Sequence, residues 1–300
     1  MTAHLAIRSA TVRSPATSAN LGPGFDCLGI ALDLWDEYAV ELGTGPGVTV
    51  ASTGEGAADL PDDESHLVAR ALRRGLAAAG VEQVGFRLRC RNRIPHRRGL
   101  GSSSAAIVGG LSLAAALAPG PALVPAAIVA LATELEGHPD NVAAAVLGGA
   151  TIAWIDETGA GRAVGSQVAP ALPATVLVPS SETETEAARG LLPASVPYGD
   201  AVFNVSRAAL LVHALGHAPD LIFDATEDRL HQQYRHSAYP ASLRLVQQLR
   251  SAKVASAISG AGPTVLAFAQ PADVAGLAPV GWNVLPLGIT GLGAHTVTTD

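Results

Sequence analysis

The chain has 300 residues, 48% hydrophobic and 4% aromatic, with 19 basic against 26 acidic side chains and a formal net charge of −7. That apolar content can build real cores and excludes general disorder. The negative balance and scarce aromatics exclude a general nucleic-acid binder or base-stacking platform.

In chain order, residues 7–14 and 30–42 alternate as strands around a loop over 15–26 that is rich in turn residues. A strand is predicted over 47–53, then a helix capped by Ser65, running to about Ala79 and stopped by Gly80. A strand over 85–91 precedes small-residue helices over 103–118, 124–135 and 139–147, and Gly148-Gly149 breaks into a strand at 150–155. The Gly-, Ala- and Pro-bearing segment 157–172 reads as the passage between two domains, placed at 1–160 and 161–300. Beyond it come a buried strand at 174–178, helices over 184–190, 200–215 and 240–251, strands at 255–258 and 264–268, and further β signal at 283–287 and 293–298. Strands and helices mix without strict βαβ alternation, which predicts an α+β fold. Cys27 and Cys90 form neither a CxxC motif nor a disulfide framework and read as reduced thiols. The N-terminus lacks the charged start and apolar stretch of a signal peptide, and no apolar run reaches the roughly 18 residues of a membrane helix. A cytoplasmic protein without membrane or nucleic-acid partners is expected.

The most chemically informative stretch is Gly99-Leu100-Gly101-Ser102-Ser103-Ser104-Ala105, set between a strand and a small-residue helix. Glycines let backbone pass close to a ligand, and a helix start offers free N–H groups and a positive dipole end, which suits a phosphate. Serine hydroxyls add donors and an oxygen for a metal ion. The same residues also build ordinary loops and N-caps. The run is no Walker A loop, because no lysine follows its glycines and the only lysine is Lys253. Nor is it a dinucleotide GxGxxG, since serines follow the second glycine.

Three glycine-bearing segments, 14–26, 94–106 and 258–264, together resemble the three motifs of the GHMP small-molecule kinases. The middle one, Pro95-His96-Arg97-Arg98-Gly99-Leu100-Gly101-Ser102-Ser103-Ser104-Ala105, resembles that family's ATP loop, although small residues are usual where Arg97 and Arg98 stand. The first, Ser18 to Asp26, and the run Glu136-Gly137-His138-Pro139-Asp140-Asn141-Val142 resemble the branch that acts on L-homoserine. The third appears as Ser259-Gly260-Ala261-Gly262-Pro263-Thr264.

The resemblance implies a two-domain fold, with an N-terminal α+β domain, a C-terminal ferredoxin-like domain and the active site in the cleft between them. It implies transfer of the γ-phosphoryl of ATP to the hydroxyl of L-homoserine, on the route to threonine, with Mg²⁺ and in a homodimer. ATP is then assigned to Pro95, Arg98, Gly99, Leu100, Gly101, Ser102, Ser103, Ser104 and Ala105, with Gly260 from the third motif. Ser103 and a carboxylate are expected to hold the metal, Glu136 first and Glu134 in reserve. Asp26 is assigned to the substrate ammonium, Arg189 and Arg235 to its carboxylate, and Asn20, His138, Asn141 and Thr185 to further substrate contacts. Asn141 stands where related kinases carry an aspartate base, so a reaction without a side-chain base is expected, charge being absorbed by amides, metal and Arg189. Asp140 is the rival base or a helix cap. Another kinase of the family, or a non-catalytic ligand sensor on the same fold, are the competing readings.

Overall fold

The computed structural model describes residues 7–81, 84–118, 120–170, 172–182 and 188–299. Its spine is an antiparallel hairpin of two long strands, β1 (Ser9–Asn20) and β2 (Gly24–Leu42), closed by Leu21-Gly22-Pro23. The loop expected over 15–26 is thus mostly ladder. Proline and small polar residues read as breakers, but register shifts at Pro15/Ala16 and Ala19/Asn20 absorb them. Beyond this hairpin, β3 (Val48–Gly54) runs parallel to β4 (Phe86–Asn92), which pairs with β2. The other stretch of β2 pairs with β5 (Ala150–Ile155), itself paired with β6 (Gly161–Ser166).

Four helices cover this sheet: α1 (Leu67–Ala78), α2 (Ser102–Leu117), α3 (Pro125–Glu136) and α4 (Asp140–Leu147). His66 caps α1, its Nδ1 accepting the Val68 N–H at 3.2 Å, while the expected cap Ser65 is engaged by Asp63. Helix α2 is apolar on nearly every face. Ile107, Val108, Leu111 and Leu117 are buried against Tyr38, Leu88, Leu72 and Ile128 in one core. Such a helix is held by packing on all sides, so its N-terminus is a rigid platform.

A second, four-stranded sheet has the order β10 (Asn283–Leu285), β7 (Thr175–Val178), β9 (Val265–Ala267), β8 (Ser256–Ile258), all pairs antiparallel. In chain order its strands run 4-1-3-2. The connection from β7 to β8 ends in α7 (Pro240–Ser251), after α5 (Tyr198–Gly216) and α6 (Ile222–Ala225), and α8 (Pro271–Val274) follows β9. This is the ferredoxin-like layout. The two layers are not cut at 160/161: β6 completes the first sheet, and the last strand, β11 (His295–Thr299), returns to pair with β1. We take the layers, rather than a single cut in the chain, as the domain division. One apolar cluster joins them, with Leu21, Ile30, Ile94 and Leu100 packed with Leu211, Leu215 and Leu266. The predicted helix over 184–190 falls mostly outside the described residues, and Thr185 with it; 188–189 are helical.

Candidate active site

The three glycine segments meet where the layers join. The Thr17 N–H donates to Leu100 O at 3.0 Å, the Gly260 N–H to Ala19 O at 3.0 Å, and the Thr264 N–H to Arg98 O at 3.3 Å. Ser259 Oγ lies 2.6 Å from Gly99 O, to which it donates, and 2.8 Å from Ser18 Oγ. Two glycines make this stitching possible. Gly99 has φ +74, and a Cβ there would sit 2.3 Å from Ser259 O; Gly101 has φ +67, and a Cβ there would sit 1.9 Å from Thr17 Oγ1. Among the described residues five non-glycines have positive φ, and Asn20, Leu21, Asp26 and Arg97 all stand in these segments. Such clustering of costly backbone marks a functional site.

The meeting point opens as a cleft of about 340 Å³. At one end is the start of α2. Its cap, Gly101, has no side chain to bond, and the first backbone hydrogen bond is the Ala105 N–H to Gly101 O at 2.8 Å. The amides of Ser102, Ser103 and Ser104 therefore point outward without backbone acceptors. Beside them Glu136 accepts from Ser103 Oγ at 2.8 Å and from Ser104 Oγ at 2.9 Å. A carboxylate at the C-terminus of α3 opposes the helix dipole and needs a compensating role. Glu134 points elsewhere, to Arg74 at 2.9 Å. Among the described residues no three His, Cys, Asp or Glu side chains cluster as a metal cage.

At the other end Arg189 lines the cleft and pairs bidentately with Asp26, at 2.8 and 2.6 Å, while Asp26 itself is not among the lining residues. The two residues assigned to opposite charges of the substrate thus hold each other. Arg235 is buried (1% exposed), and its Nε finds no acceptor. Burial pulls its pKa down, and the nearby Arg189 charge adds to that. Both guanidiniums lie over Phe25, at 5.6 Å for Arg189 and 4.9 Å for Arg235, and His231 stacks on the same ring at 4.9 Å. Asn20 is already committed. Its Nδ2 donates to Gly260 O at 2.9 Å and its Oδ1 accepts the Asp26 N–H at 2.9 Å, so it fixes the bend that carries Asp26.

Between the ends stand His138, Asp140 and Asn141, where α4 begins. Asp140 Oδ1 accepts the Asn141 N–H at 2.7 Å and lies 2.9 Å from His138 Nδ1. Burial lowers the His138 pKa, but the hydrogen bond and charge of Asp140, with Glu136, outweigh it and leave it raised. Asn141 Oδ1 accepts from Thr17 Oγ1 at 2.8 Å, which fixes which way the amide faces.

Of the predicted site residues, Gly99, Gly101, Ser102, Ser103, Glu136, His138, Asn141, Asn20, Arg189, Arg235 and Gly260 line this cleft. Leu100 and Ala105 are buried and support the loop from behind. Arg98 turns away, its guanidinium held by Pro179 O, Ser180 O and Glu182. Thr17, Phe25 and Ser259 fell within the motif segments but were assigned no role from the sequence. Only their places beside the motif glycines could have singled them out. A second cavity of about 290 Å³ adjoins the first through Arg97, Ser102 and Ser103, walled by Tyr38, Leu67, Val68 and Asn92.

An uncapped helix start facing a polar end of the same cleft, between an α+β layer and a ferredoxin-like layer, fits a small-molecule kinase. The GHMP kinases N terminal domain matches residues 66–149 and the GHMP kinases C terminal domain residues 206–278, and the chain belongs to the GHMP kinases. It is 51% identical over 291 residues to the homoserine kinase of Streptomyces avermitilis, covering 95% of each chain, and 50% identical over 289 residues to that of Streptomyces coelicolor, covering 94% of this chain and 93% of the relative. The crystal structure of homoserine kinase from Cytophaga hutchinsonii superposes with a TM-score of 0.85 at 25% identity, over 99% of this chain and 100% of that one. Within the GHMP kinases the chain therefore falls among the homoserine kinases, ATP-dependent enzymes that phosphorylate a hydroxyl.

Proposed function

We propose that the protein transfers the γ-phosphoryl of ATP to the hydroxyl of L-homoserine, with the phosphates on the start of α2 and the amino acid between Asp26 and Arg235. One observation carries this reading. A single cleft has outward-pointing helix amides at one end, and at the other Arg189, held by Asp26, beside a buried Arg235 whose Nε lacks an acceptor. An unsatisfied buried donor costs about 1–3 kcal/mol. A substrate carboxylate on Arg235 relieves that cost, and Asp26 retains lone pairs for an ammonium after binding Arg189. The adjoining cavity takes the base and ribose.

Ser103 Oγ and Glu136, 2.8 Å apart, fit Mg²⁺, which keeps several waters and needs few protein ligands. When bound it neutralises charge on the β- and γ-phosphates. The chain's own residues position and stabilise. The amides of 102–104 meet charge on the transferring group, and Phe25 holds the two arginines together despite their like charge. Asn141 directs its Nδ2 away from Thr17, and a carboxamide cannot accept the hydroxyl proton. The proton leaves to the phosphate or to water, which a loose phosphoryl-transfer transition state tolerates. Asp140, 2% exposed and engaged with His138 and the start of α4, serves as an anchor.

The reading includes a homodimer and a cytoplasmic location. Among the described residues no helix is long and apolar enough to cross a membrane, and Cys27 and Cys90 are free thiols. The test is ADP release across L-homoserine, mevalonate and hexose acceptors, with the product identified by phosphorus NMR. Release with homoserine and formation of O-phosphohomoserine is expected. Turnover only with another alcohol points to a different kinase of the family, and no turnover with any acceptor points to a ligand sensor.

A further inference from the structure

His231 is buried and does not line the cleft, but Phe25, on which it stacks, does. Its Nε2 lies 2.7 Å from Gly22 O. A carbonyl oxygen only accepts, so Nε2 carries the ring's proton and donates it. Nδ1 is buried without a partner, and burial lowers the pKa, so the ring is held neutral. The backbone that carries it is fixed as well. The buried carboxylate of Asp228 accepts the N–H groups of Leu230 at 2.9 Å, His231 at 3.2 Å and Gln232 at 2.9 Å.

Two contacts tie this imidazole to the amino-acid end. The first is the hydrogen bond to Gly22, the middle of the turn that leads into Phe25 and Asp26. That turn sits tight on the segment before His231: Gly22 has φ +91, and a Cβ there would lie 2.4 Å from Thr226 O. The second is the stack on Phe25, with centroids 4.9 Å apart and the rings inclined by 27°. The same phenyl ring carries the guanidiniums of Arg235 at 4.9 Å and Arg189 at 5.6 Å. Phe25 cannot rotate without opening the stack, so the imidazole fixes the ring plane on which both cations rest. Arg235 also donates its N–H to His231 O at 3.3 Å, so imidazole and guanidinium belong to one turn of chain. We propose that His231 is a positioning residue for the carboxylate end of the amino-acid site, setting the plane of Phe25 so that Arg189 and Arg235 face the substrate. The proposal rests on homoserine being the acceptor.

His231→Gln keeps an N–H for Gly22 O and removes the flat ring. It is expected to raise the KM for homoserine about fivefold, and the calorimetric Kd for homoserine alone to the same degree. The KM for ATP should stay within twofold, a split that general loosening of the fold does not produce. His231→Met, which also lacks the ring, serves in its place should the glutamine variant fail to fold. Phe25→Leu removes the shelf itself and is expected to weaken homoserine binding at least as much. In that background His231→Gln should add less than twofold, because it acts through Phe25. Unchanged homoserine constants in the His231 variant overturn the proposal. So do equal rises in the KM for both substrates, or losses that multiply in the double variant. Wild-type enzyme that fails to turn over homoserine removes the underlying functional reading instead, and the two failures are separable in one set of assays.

Discussion

Gly99→Ala is the sharpest perturbation of the cleft. At φ +74 an alanine pays about 1–2 kcal/mol for left-handed backbone. Its Cβ would also stand 2.3 Å from Ser259 O and 2.8 Å from Gly262 O, both main-chain atoms that cannot rotate away. Relief requires the loop and the third segment to part by about 1 Å, since ordinary carbon–oxygen contact begins near 3.3 Å. That separation stretches the 2.6 Å bond from the fully buried Ser259 to Gly99 O, a loss of about 1 kcal/mol. The combined penalty, about 3 kcal/mol, corresponds to roughly a hundredfold in kcat/KM for ATP at 1.4 kcal/mol per decade. A misplacement of that size near the reacting groups carries a similar cost. The assay is initial-rate kinetics in both substrates beside a thermal melt. Gly45→Ala, where a Cβ meets nothing within 4 Å, is the neutral control. Wild-type kcat/KM for ATP in Gly99→Ala refutes the claim that this loop must touch the third segment to hold phosphate.

Four further outcomes are expected. Asp26→Asn lowers kcat/KM for homoserine by about two orders of magnitude, yet costs about 1 kcal/mol or less in a denaturant melt, because the Arg189 pair is one-third exposed. Asp140→Asn weakens turnover without abolishing it. Complete loss, with fold and homoserine binding intact by calorimetry, sinks the base-free chemistry. Glu136→Gln raises the magnesium concentration needed for half-maximal rate several-fold, and Glu134→Gln leaves it unchanged; equal effects contradict the metal assignment. Burial holds the pKa values of His66 and His231 below the ordinary histidine value. The unfolded chain then binds their protons more tightly, so stability is present above about pH 6.5 and lost as pH falls below it, by up to about 1.4 kcal/mol per pH unit for each. His231→Gln should flatten the fall below about pH 6.5, read from urea midpoints; an unchanged slope removes His231 as a cause.

How much of this was legible in the chain depends on what each residue had to reveal. The glycines at 99, 101 and 260 announce their positions because positive φ close against a neighbouring segment favours a residue without a side chain. Asp26, Arg189 and Arg235 were legible only through resemblance, and their geometry was not. Residues placed on opposite charges of one substrate turn out to pair with each other, and the shelf beneath them, Phe25, left no periodic trace. The hairpin through Pro15 to Asn20 was hidden because strand signals weaken where bulges accommodate proline. The return of β11 to β1 links positions nearly 300 residues apart, and no local pattern encodes such a pairing.

The central claim is that one cleft seats both substrates, with phosphates on the amides of 102–104 and the amino acid between Asp26 and Arg235. A crystal structure with a non-hydrolysable ATP analogue and L-homoserine tests it most directly. The account predicts phosphate oxygens within hydrogen-bond reach of those amides and the homoserine carboxylate on Arg235. Nucleotide bound away from the start of α2, or homoserine excluded from the side of Asp26, contradicts it.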